Sequence, residues 1–162
     1  MHHAIRFMTG RDLEEIAEIE VAAQLSVWGI DGYEAELTNE YAIVRVVDAS
    51  QLQSQDLSKL SASMTPYRIA AFAAARIVVD ELHITNIAVR NEARRGGLGG
   101  LLVRDLMQCA RRRGLRWAVL EVRESNGDAN RLYARHGFEI TGRRPDYYRN
   151  PAEDALIMAR LI

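Results

Sequence analysis

Arg94-Arg95-Gly96-Gly97-Leu98-Gly99-Gly100 lies between an apolar run at residues 84–89 and a helical pattern at residues 98–113. A glycine-rich turn that leaves a strand and opens a helix exposes backbone N–H groups at the positive end of the helix dipole, where phosphate anions bind. The segment therefore predicts a site for a phosphorylated cofactor.

Three classes of phosphorylated cofactor differ in the turn that they require. A Walker loop needs a lysine and then a serine or threonine after its last glycine, whereas the only lysine of the chain, Lys59, lies far upstream. The dinucleotide fingerprint G-x-G-x-x-G finds its first two glycines in Gly97 and Gly99, but Leu102 stands in the place of the third. Glu121 lies near the required acidic position, so a dinucleotide site stays open as the weaker alternative. The remaining class is coenzyme A.

The bulk properties predict one globular domain that spans residues 1–162. The chain is 48% hydrophobic and 27% charged, which is typical of soluble proteins. Residues 49–66 are rich in polar residues, with Ser and Gln throughout, and predict a surface insertion. The single cysteine, Cys109, forms no internal disulfide, and the chain has no signal-like or membrane-length apolar segment, so we expect a cytoplasmic protein. Nothing in the sequence points to a metal, a nucleic acid or a membrane, and the oligomeric state is not readable from it.

The net charge is only −1, but the charges are unevenly distributed. Residues 1–40 contain nine acidic side chains against two arginines, and residues 90–116 contain eight arginines against two acidic side chains. Solvated helix faces account for this pattern. Equally, a basic half could hold cofactor phosphates while an acidic half attracts a cationic substrate.

Apolar periodicity predicts a mixed α/β sheet with helices on both faces. The predicted strands cover residues 5–8, 41–47, 67–79, 81–89, 116–122, 138–142 and 155–161. The predicted helices follow Thr9, cover residues 31–38 and 98–113, and run from Ser125 or Asn126 to Gly137. Cys109 falls on the apolar face of the third helix, which indicates packing and not a nucleophile. The polar residues 143–154 are predicted to connect the last two strands.

Glu121 is a candidate general base. Strand alternation places it with Trp117 and Val119, on the face that we expect to be inward. Burial of a carboxylate is costly and makes the group more basic, which suits proton abstraction. A salt bridge with Arg123 or another arginine is the structural alternative.

Tyr133, twelve residues further on, falls on the inner side of the next helix, where spacing alone favours a core residue. Leu120-Glu121-Val122-Arg123, Ser125-Asn126, Ala129, Leu132-Tyr133 and Gly137-Phe138 nevertheless resemble a motif of the N-terminal acetyltransferases. These enzymes belong to the GNAT superfamily, whose pyrophosphate loop resembles the Arg-x-x-Gly-x-Gly order that starts at Arg94. Arg143-Arg144 with Tyr147-Tyr148, and the segment at residues 153–158, are most similar to the RimI branch.

This resemblance implies the GNAT fold, with a mixed, mostly antiparallel sheet of six or seven strands, and acetyl-CoA as the cofactor. Ile87, Ala88 and Val89 would pair their backbone with the pantetheine arm, and Asn126 would bond to the same arm. The pyrophosphate would lie against the turn. The residues of that turn are Arg94, Arg95, Gly96, Gly97, Leu98, Gly99 and Gly100.

The resemblance also implies direct acetyl transfer to the α-amine of a protein N-terminus. In the RimI branch this is the N-terminal alanine of small-subunit ribosomal protein eighteen. Glu121 would accept a proton, Tyr133 would donate one, and Trp28, Tyr147 and Tyr148 would form the walls of the peptide groove. Other N-termini, lysine side chains, small amines and a non-catalytic acyl-CoA-binding module stay open as alternatives.

Overall fold

The computed structural model describes residues 5–25, 27–49 and 67–162, which form seven strands and four α-helices. The strands are β1 (Ile5–Phe7), β2 (Ala42–Asp48), β3 (Ile69–Val78), β4 (Glu81–Val89), β5 (Trp117–Arg123), β6 (Glu139–Arg149) and β7 (Ala152–Leu161). The helices are α1 (Leu13–Ala22), α2 (Gly29–Glu36), α3 (Leu98–Arg112) and α4 (Gly127–Arg135). None of the described helices is both long and apolar enough to cross a lipid bilayer.

The strands form one sheet in the order β1-β2-β3-β4-β5-β7-β6. All neighbours are antiparallel except β4 and β5, which are parallel because α3 crosses over between them. The predicted fold class, a mixed and mostly antiparallel α/β sheet with helices on both faces, is confirmed.

The parallel pair β4–β5 separates halfway along its length. Only four residue pairs join the two strands, from Glu81 with Trp117 to Ile84 with Leu120. Beyond Ile84, β4 stays paired with β3 on its other side, and β5 stays paired with β7. A cleft therefore opens between the carboxyl ends of β4 and β5, and the edge of β4 that faces β5 is unpaired there. Open α/β sheets commonly bind ligands at such a position.

Two cores cover the sheet, one on each face. Helices α3 and α4 pack on one face, where Leu102, Leu106 and Leu120 are fully or almost fully buried. Helices α1 and α2 pack on the other face against β2, β3 and β4, with Ile16 and Phe72 fully buried. Cys109 is buried in the first core, as its position on the apolar face of α3 predicted.

Helix α1 begins after a buried ion pair. The Thr9 backbone N–H and hydroxyl both donate to the Asp12 carboxylate, which has no exposed surface. Arg6 on β1 donates to the same carboxylate at 2.7 and 2.9 Å, so β1 and the start of α1 are held together. Burial by itself raises the pKa of Asp12, but these hydrogen bonds outweigh it and lower the pKa below its usual value.

The prediction that residues 143–154 form a connection is wrong. β6 continues to Arg149 and β7 starts at Ala152, with a register irregularity between Arg144 and Tyr148. β6 is an edge strand with almost no buried side chain, so it is held by backbone hydrogen bonds and needs no apolar pattern. The other predicted elements occur with ends shifted by a few residues. The predicted surface insertion lies outside the described residues except for Ala49, which is buried.

Candidate active site

The glycine-rich turn has the geometry of an anion site. Gly97 precedes the first residue of α3 with φ +80°, and Arg95 has φ +63°, both in the left-handed region. The first N–H of α3 that donates to a backbone oxygen is that of Leu101, at 3.0 Å from the Gly97 oxygen. Within the described structure the N–H groups of residues 95–100 have no backbone partner, and such groups at a helix N-terminus attract phosphate oxygens.

A groove of about 690 Å³ runs from this turn to α4, and we call it the loop groove. Its two helices approach closely, because a Cβ atom on Gly99 would lie 3.1 Å from a methyl carbon of Leu132. All but one of the predicted cofactor residues line it, and Gly96 is in the same turn but is not part of the lining. The residues from the prediction that line the loop groove are Ile87, Ala88, Val89, Arg94, Arg95, Gly97, Leu98, Gly99, Gly100 and Asn126.

A second cavity of about 430 Å³ lies at the separation of β4 and β5, and we call it the tyrosine cavity. It is lined by Glu121, Tyr133, Tyr147, Tyr148 and Trp28, so the structure brings together both predicted catalytic residues and all three predicted groove walls. Tyr133 also lines the loop groove. The two spaces are therefore neighbours with the Tyr133 side chain at their junction.

The prediction that Glu121 is buried is wrong. Its side chain is 27% exposed and lies 3.3 Å from Arg144, an arginine that is itself 57% exposed. The buried residues of β5 are Ala118, Leu120 and Val122, which pack under α3 and α4. Helices α1 and α2 cover β2, β3 and β4 but do not extend over β5. Glu121 therefore faces the open tyrosine cavity, with an arginine partner of the kind that the structural alternative required.

Tyr133 is buried, in contrast to Glu121. Its ring packs edge-on against Phe138 with 5.8 Å between ring centroids. Burial, together with the nearby Tyr148, raises the pKa of Tyr133 above its usual value of about 10. The hydroxyl therefore keeps its proton at neutral pH, which is the form that a proton donor requires, although the raised pKa also makes it a weaker acid.

Tyr148 connects the two candidate residues electrostatically. Burial raises its pKa to about 12, with further contributions from Tyr147 and from the negative charge of Glu121. The guanidinium of Arg123 lies over its ring at 4.1 Å from the centroid, and Tyr147 packs edge-on against it at 5.0 Å. The irregular stretch of β6 thus holds both tyrosines at the cavity.

Trp28 forms the opposite wall in the connection between α1 and α2. Its ring packs against Tyr33 at 5.4 Å between ring centroids. The guanidinium of Arg76, a residue of β3, lies 5.0 Å from the centroid of the Trp28 ring. The Trp28 backbone N–H donates to the buried Glu20 carboxylate at 2.9 Å. These contacts fix a ring that the sequence alone could have assigned equally well to the core.

Asn126 has a structural role that the sequence interpretation did not include. Its Oδ1 accepts from the Ala129 N–H at 3.1 Å and caps the N-terminus of α4. Its side-chain amide nitrogen donates to no residue in the described ranges, and Asn126 lines both the loop groove and the tyrosine cavity.

One protein-family model matches most of this chain. The model described as "Acetyltransferase (GNAT) family" matches residues 13–138, which include the glycine-rich turn, Glu121 and Tyr133 but not Tyr147 or Tyr148. The chain belongs to the GNAT acetyltransferase family.

Several relatives of this GNAT chain are named for the same enzymatic activity. The [ribosomal protein bS18]-alanine N-acetyltransferase of Haemophilus influenzae is 30% identical over 151 residues, 91% of each chain. The Escherichia coli enzyme of the same name is 42% identical over 94 residues, 57% of this chain and 64% of the relative. A Bacillus subtilis protein with a provisional name of that activity is 33% identical over 96% of this chain and 93% of its own length.

Solved structures agree with the GNAT fold. The crystal structure of the Escherichia coli ribosomal-protein-S18-alanine N-acetyltransferase matches with a TM-score of 0.78 and 30% identity, covering 98% of this chain and 92% of that one. Arabidopsis thaliana NAA60 with a bisubstrate analogue matches with a TM-score of 0.82 at 17% identity, over 98% and 97% of the chains, and bears on the fold alone. The chain is therefore an acetyltransferase of the RimI type.

Some residues of the GNAT site were missed from the sequence. Arg144 was cited only as part of a motif, although it pairs with Glu121. Asn86 lines the tyrosine cavity and bonds to Tyr33, which in turn bonds to the buried Glu20. The available signal was Glu20 itself, an acidic residue next to Ile19 on the apolar side of α1.

Proposed function

We propose that this protein transfers the acetyl group of acetyl-CoA to the N-terminal α-amine of a protein. The N-terminal alanine of ribosomal protein bS18 is the first candidate acceptor, since several relatives are named for that reaction. One observation carries the proposal: a carboxylate and a buried phenol line a cavity that adjoins a groove ending at a phosphate-type turn.

The loop groove fits coenzyme A in shape and in chemistry. The free N–H groups of residues 95–100 suit the two charged phosphates. The unpaired edge of β4 at Ile87, Ala88 and Val89 offers backbone groups to the amides of the pantetheine arm, and the Asn126 amide nitrogen is close enough to the same groove to join them. Acetyl-CoA supplies the activated acetyl group as a thioester.

The residues of the tyrosine cavity supply the proton transfers. An α-amino group has a pKa of about 7.7 to 8.0, so Glu121 is assigned to take up the ammonium proton directly or through water. The freed amine forms the new N–C bond, and the C–S bond breaks. Tyr133 is assigned to donate its proton to the departing sulfur and to recover one through water from the nitrogen, which loses its second proton as the amide forms. The Val89 N–H is assigned to stabilise the negative charge on the carbonyl oxygen. No covalent enzyme intermediate is required.

The acceptor is decided by a screen of free amines. The purified protein is incubated with acetyl-CoA and, in separate reactions, the N-terminal peptide of bS18, the same peptide with a blocked N-terminus, a lysine-containing blocked peptide, and a polyamine. We expect release of free thiol only with the unblocked peptide, and a mass increase on its α-amine. A faster reaction with the lysine peptide or the polyamine would contradict the proposed acceptor.

The alternative that the sequence left open, a non-catalytic acyl-CoA-binding module, predicts a different outcome of the same screen. Calorimetric binding of coenzyme A together with no thiol release from any amine in the screen would favour that module. Retention of both proton-transfer residues argues for the enzyme. The expected cytoplasmic location, the extent of the domain and the role of residues 49–66 remain predictions.

A further inference from the structure

A chain of buried polar groups leads from α1 to the tyrosine cavity. Glu20 has no exposed surface, and its two carboxylate oxygens accept from the backbone N–H groups of Trp28 and Gly29 at 2.9 and 3.0 Å. The Tyr33 hydroxyl donates to the same carboxylate at 2.8 Å. Three donors compensate the burial of this carboxylate, which would otherwise be costly.

The single proton of Tyr33 fixes the orientation of Asn86. Because that proton is given to Glu20, the Tyr33 oxygen acts toward its second neighbour as an acceptor. The Asn86 amide nitrogen donates to it at 2.8 Å. The amide can satisfy this contact only with its NH2 group toward α2, so its carbonyl oxygen, Oδ1, points the other way.

Among the residues that the structure describes, none donates a hydrogen bond to the Asn86 Oδ1 atom on the cavity wall. Asn86 is 6% exposed and lines the tyrosine cavity. Its Oδ1 is not among the fully enclosed polar atoms that lack a partner in the described ranges. Asn86 faces α2, and Glu121 lies on the same face of the sheet, opposite to the buried Leu120 and Val122. Both therefore border the space assigned to the acceptor.

We propose that Asn86 Oδ1 accepts a hydrogen bond from the acceptor amine, and that Tyr33 and Glu20 are positioning residues that hold this oxygen toward the cavity. The inference rests on the proposed function. A neutral carbonyl accepts an N–H from an ammonium and from a neutral amine alike, so it keeps the nitrogen in place while Glu121 takes the proton. The neutral primary amine has two N–H groups, so one can donate to Asn86 while the lone pair is free to attack a carbonyl held along β4.

The test compares Asn86→Leu, Tyr33→Phe and the double variant with the wild-type protein. Initial rates give kcat and KM for the alanine-starting peptide and for acetyl-CoA, and thermal unfolding gives Tm. We expect Asn86→Leu to lower kcat/KM for the peptide about tenfold, the size of one hydrogen bond to a polar or charged partner. The KM for acetyl-CoA should stay within about twofold, because Asn86 does not line the loop groove.

Tyr33→Phe keeps the ring that packs against Trp28 and Phe72, at 5.4 and 5.5 Å between centroids, and removes only the hydroxyl. The Asn86 amide then loses its fixed orientation, so we expect a loss of about threefold in kcat/KM for the peptide. The double variant should be no worse than Asn86→Leu, since both changes act through one oxygen. Tyr41→Phe, on a half-exposed ring remote from the cavity, is the control and should behave as wild type.

Three results would overturn the inference: wild-type kcat/KM for the peptide in Asn86→Leu, multiplicative losses in the double variant, or equal losses for peptide and acetyl-CoA. The proposed function fails separately, when the wild-type protein acetylates no α-amine. The Asn86 variants are then measured with whichever amine the screen identifies as the acceptor. A screen without any acceptor contradicts both proposals.

Discussion

The loop groove and the tyrosine cavity share Ile87, Asn126 and Tyr133 in their linings, but the parts that distinguish them come from different regions of the chain. The part of the loop groove that we propose for phosphate comes from one continuous segment, residues 95–100, and offers backbone N–H groups. The tyrosine cavity combines side chains from α1–α2, β4, β5, α4 and β6, including Trp28, Glu121 and Tyr148. The two regions should therefore respond to different substitutions. Side-chain substitutions in the tyrosine cavity should mainly lower the reaction rate. Substitutions that change the backbone of the turn should mainly weaken the binding of coenzyme A.

The largest expected effect tests the side-chain half of this comparison. Glu121→Gln should lower kcat about 10² to 10⁴-fold, because an amide cannot accept the ammonium proton. The Kd for coenzyme A, measured by calorimetry, should stay nearly unchanged because Glu121 does not line the loop groove. Glu124→Gln, which removes a neighbouring surface carboxylate, is the matched control and should keep most of the activity. An unchanged kcat in Glu121→Gln would remove this residue from the mechanism.

The second prediction concerns the support of α1, which carries one wall of the cavity. Asp12→Asn should lower the free energy of unfolding at pH 7 by about 2 kcal/mol, since it weakens a buried ion pair with a partly exposed partner. The pKa of Asp12 is lowered in the folded protein, so its stabilisation is present above about pH 4 and disappears as the pH falls further. Denaturant unfolding of both proteins from pH 7 to pH 3 should show the difference shrinking.

Glu14→Gln, an exposed change on the same helix, should alter the free energy of unfolding by less than about 0.5 kcal/mol. A difference between wild type and Asp12→Asn that persists at the lowest pH would mean that the charge of Asp12 is not the stabilising property.

The third prediction tests the backbone half. Gly97→Ala should weaken coenzyme A binding about tenfold, because a left-handed backbone costs a side-chain-bearing residue about 1–2 kcal/mol. Gly114→Ala is a close match, with φ +68° at the other end of α3 and no atom near the added methyl group in either case. The two substitutions should lower Tm by similar amounts, and only Gly97→Ala should change the Kd for coenzyme A. If Gly97→Ala and Gly114→Ala bind coenzyme A with the same Kd, the shape of the turn does not govern binding.

The smallest effect separates the two interpretations of Glu121. Arg144→Gln removes its ion-pair partner, and half-exposed pairs contribute about 0–1 kcal/mol. We expect less than about fivefold change in kcat/KM for the peptide, far below the effect of Glu121→Gln. If the two substitutions reduce the rate equally, the role of Glu121 is to hold Arg144 and not to accept a proton.

Sequence reasoning succeeded where a function depends on neighbours in the chain. The glycine-rich turn before α3 and the start of α4, predicted at Ser125 or Asn126, both depend on residues a few positions apart. Sequence reasoning failed for the burial of Glu121 and for residues 143–154. Alternation showed which residues share a face of β5, but it did not show which face the helices cover. Polarity suggested a loop, because an edge strand held by backbone hydrogen bonds carries no apolar signal.

The sequence by itself determined the strand-turn-helix order and the glycine-rich turn, and through the family motif it supplied Glu121 and Tyr133 as the candidate pair, since local backbone chemistry and motif spacing depend on residues close together in the chain. Only the tertiary structure decided that β4 and β5 separate after four residue pairs, that Glu121 faces an open cavity beside Arg144, and that Glu20 and Tyr33 orient Asn86. These properties depend on which faces of the sheet the helices cover and on which acceptor the Tyr33 hydroxyl donates its proton to. Both are set by contacts between residues tens of positions apart.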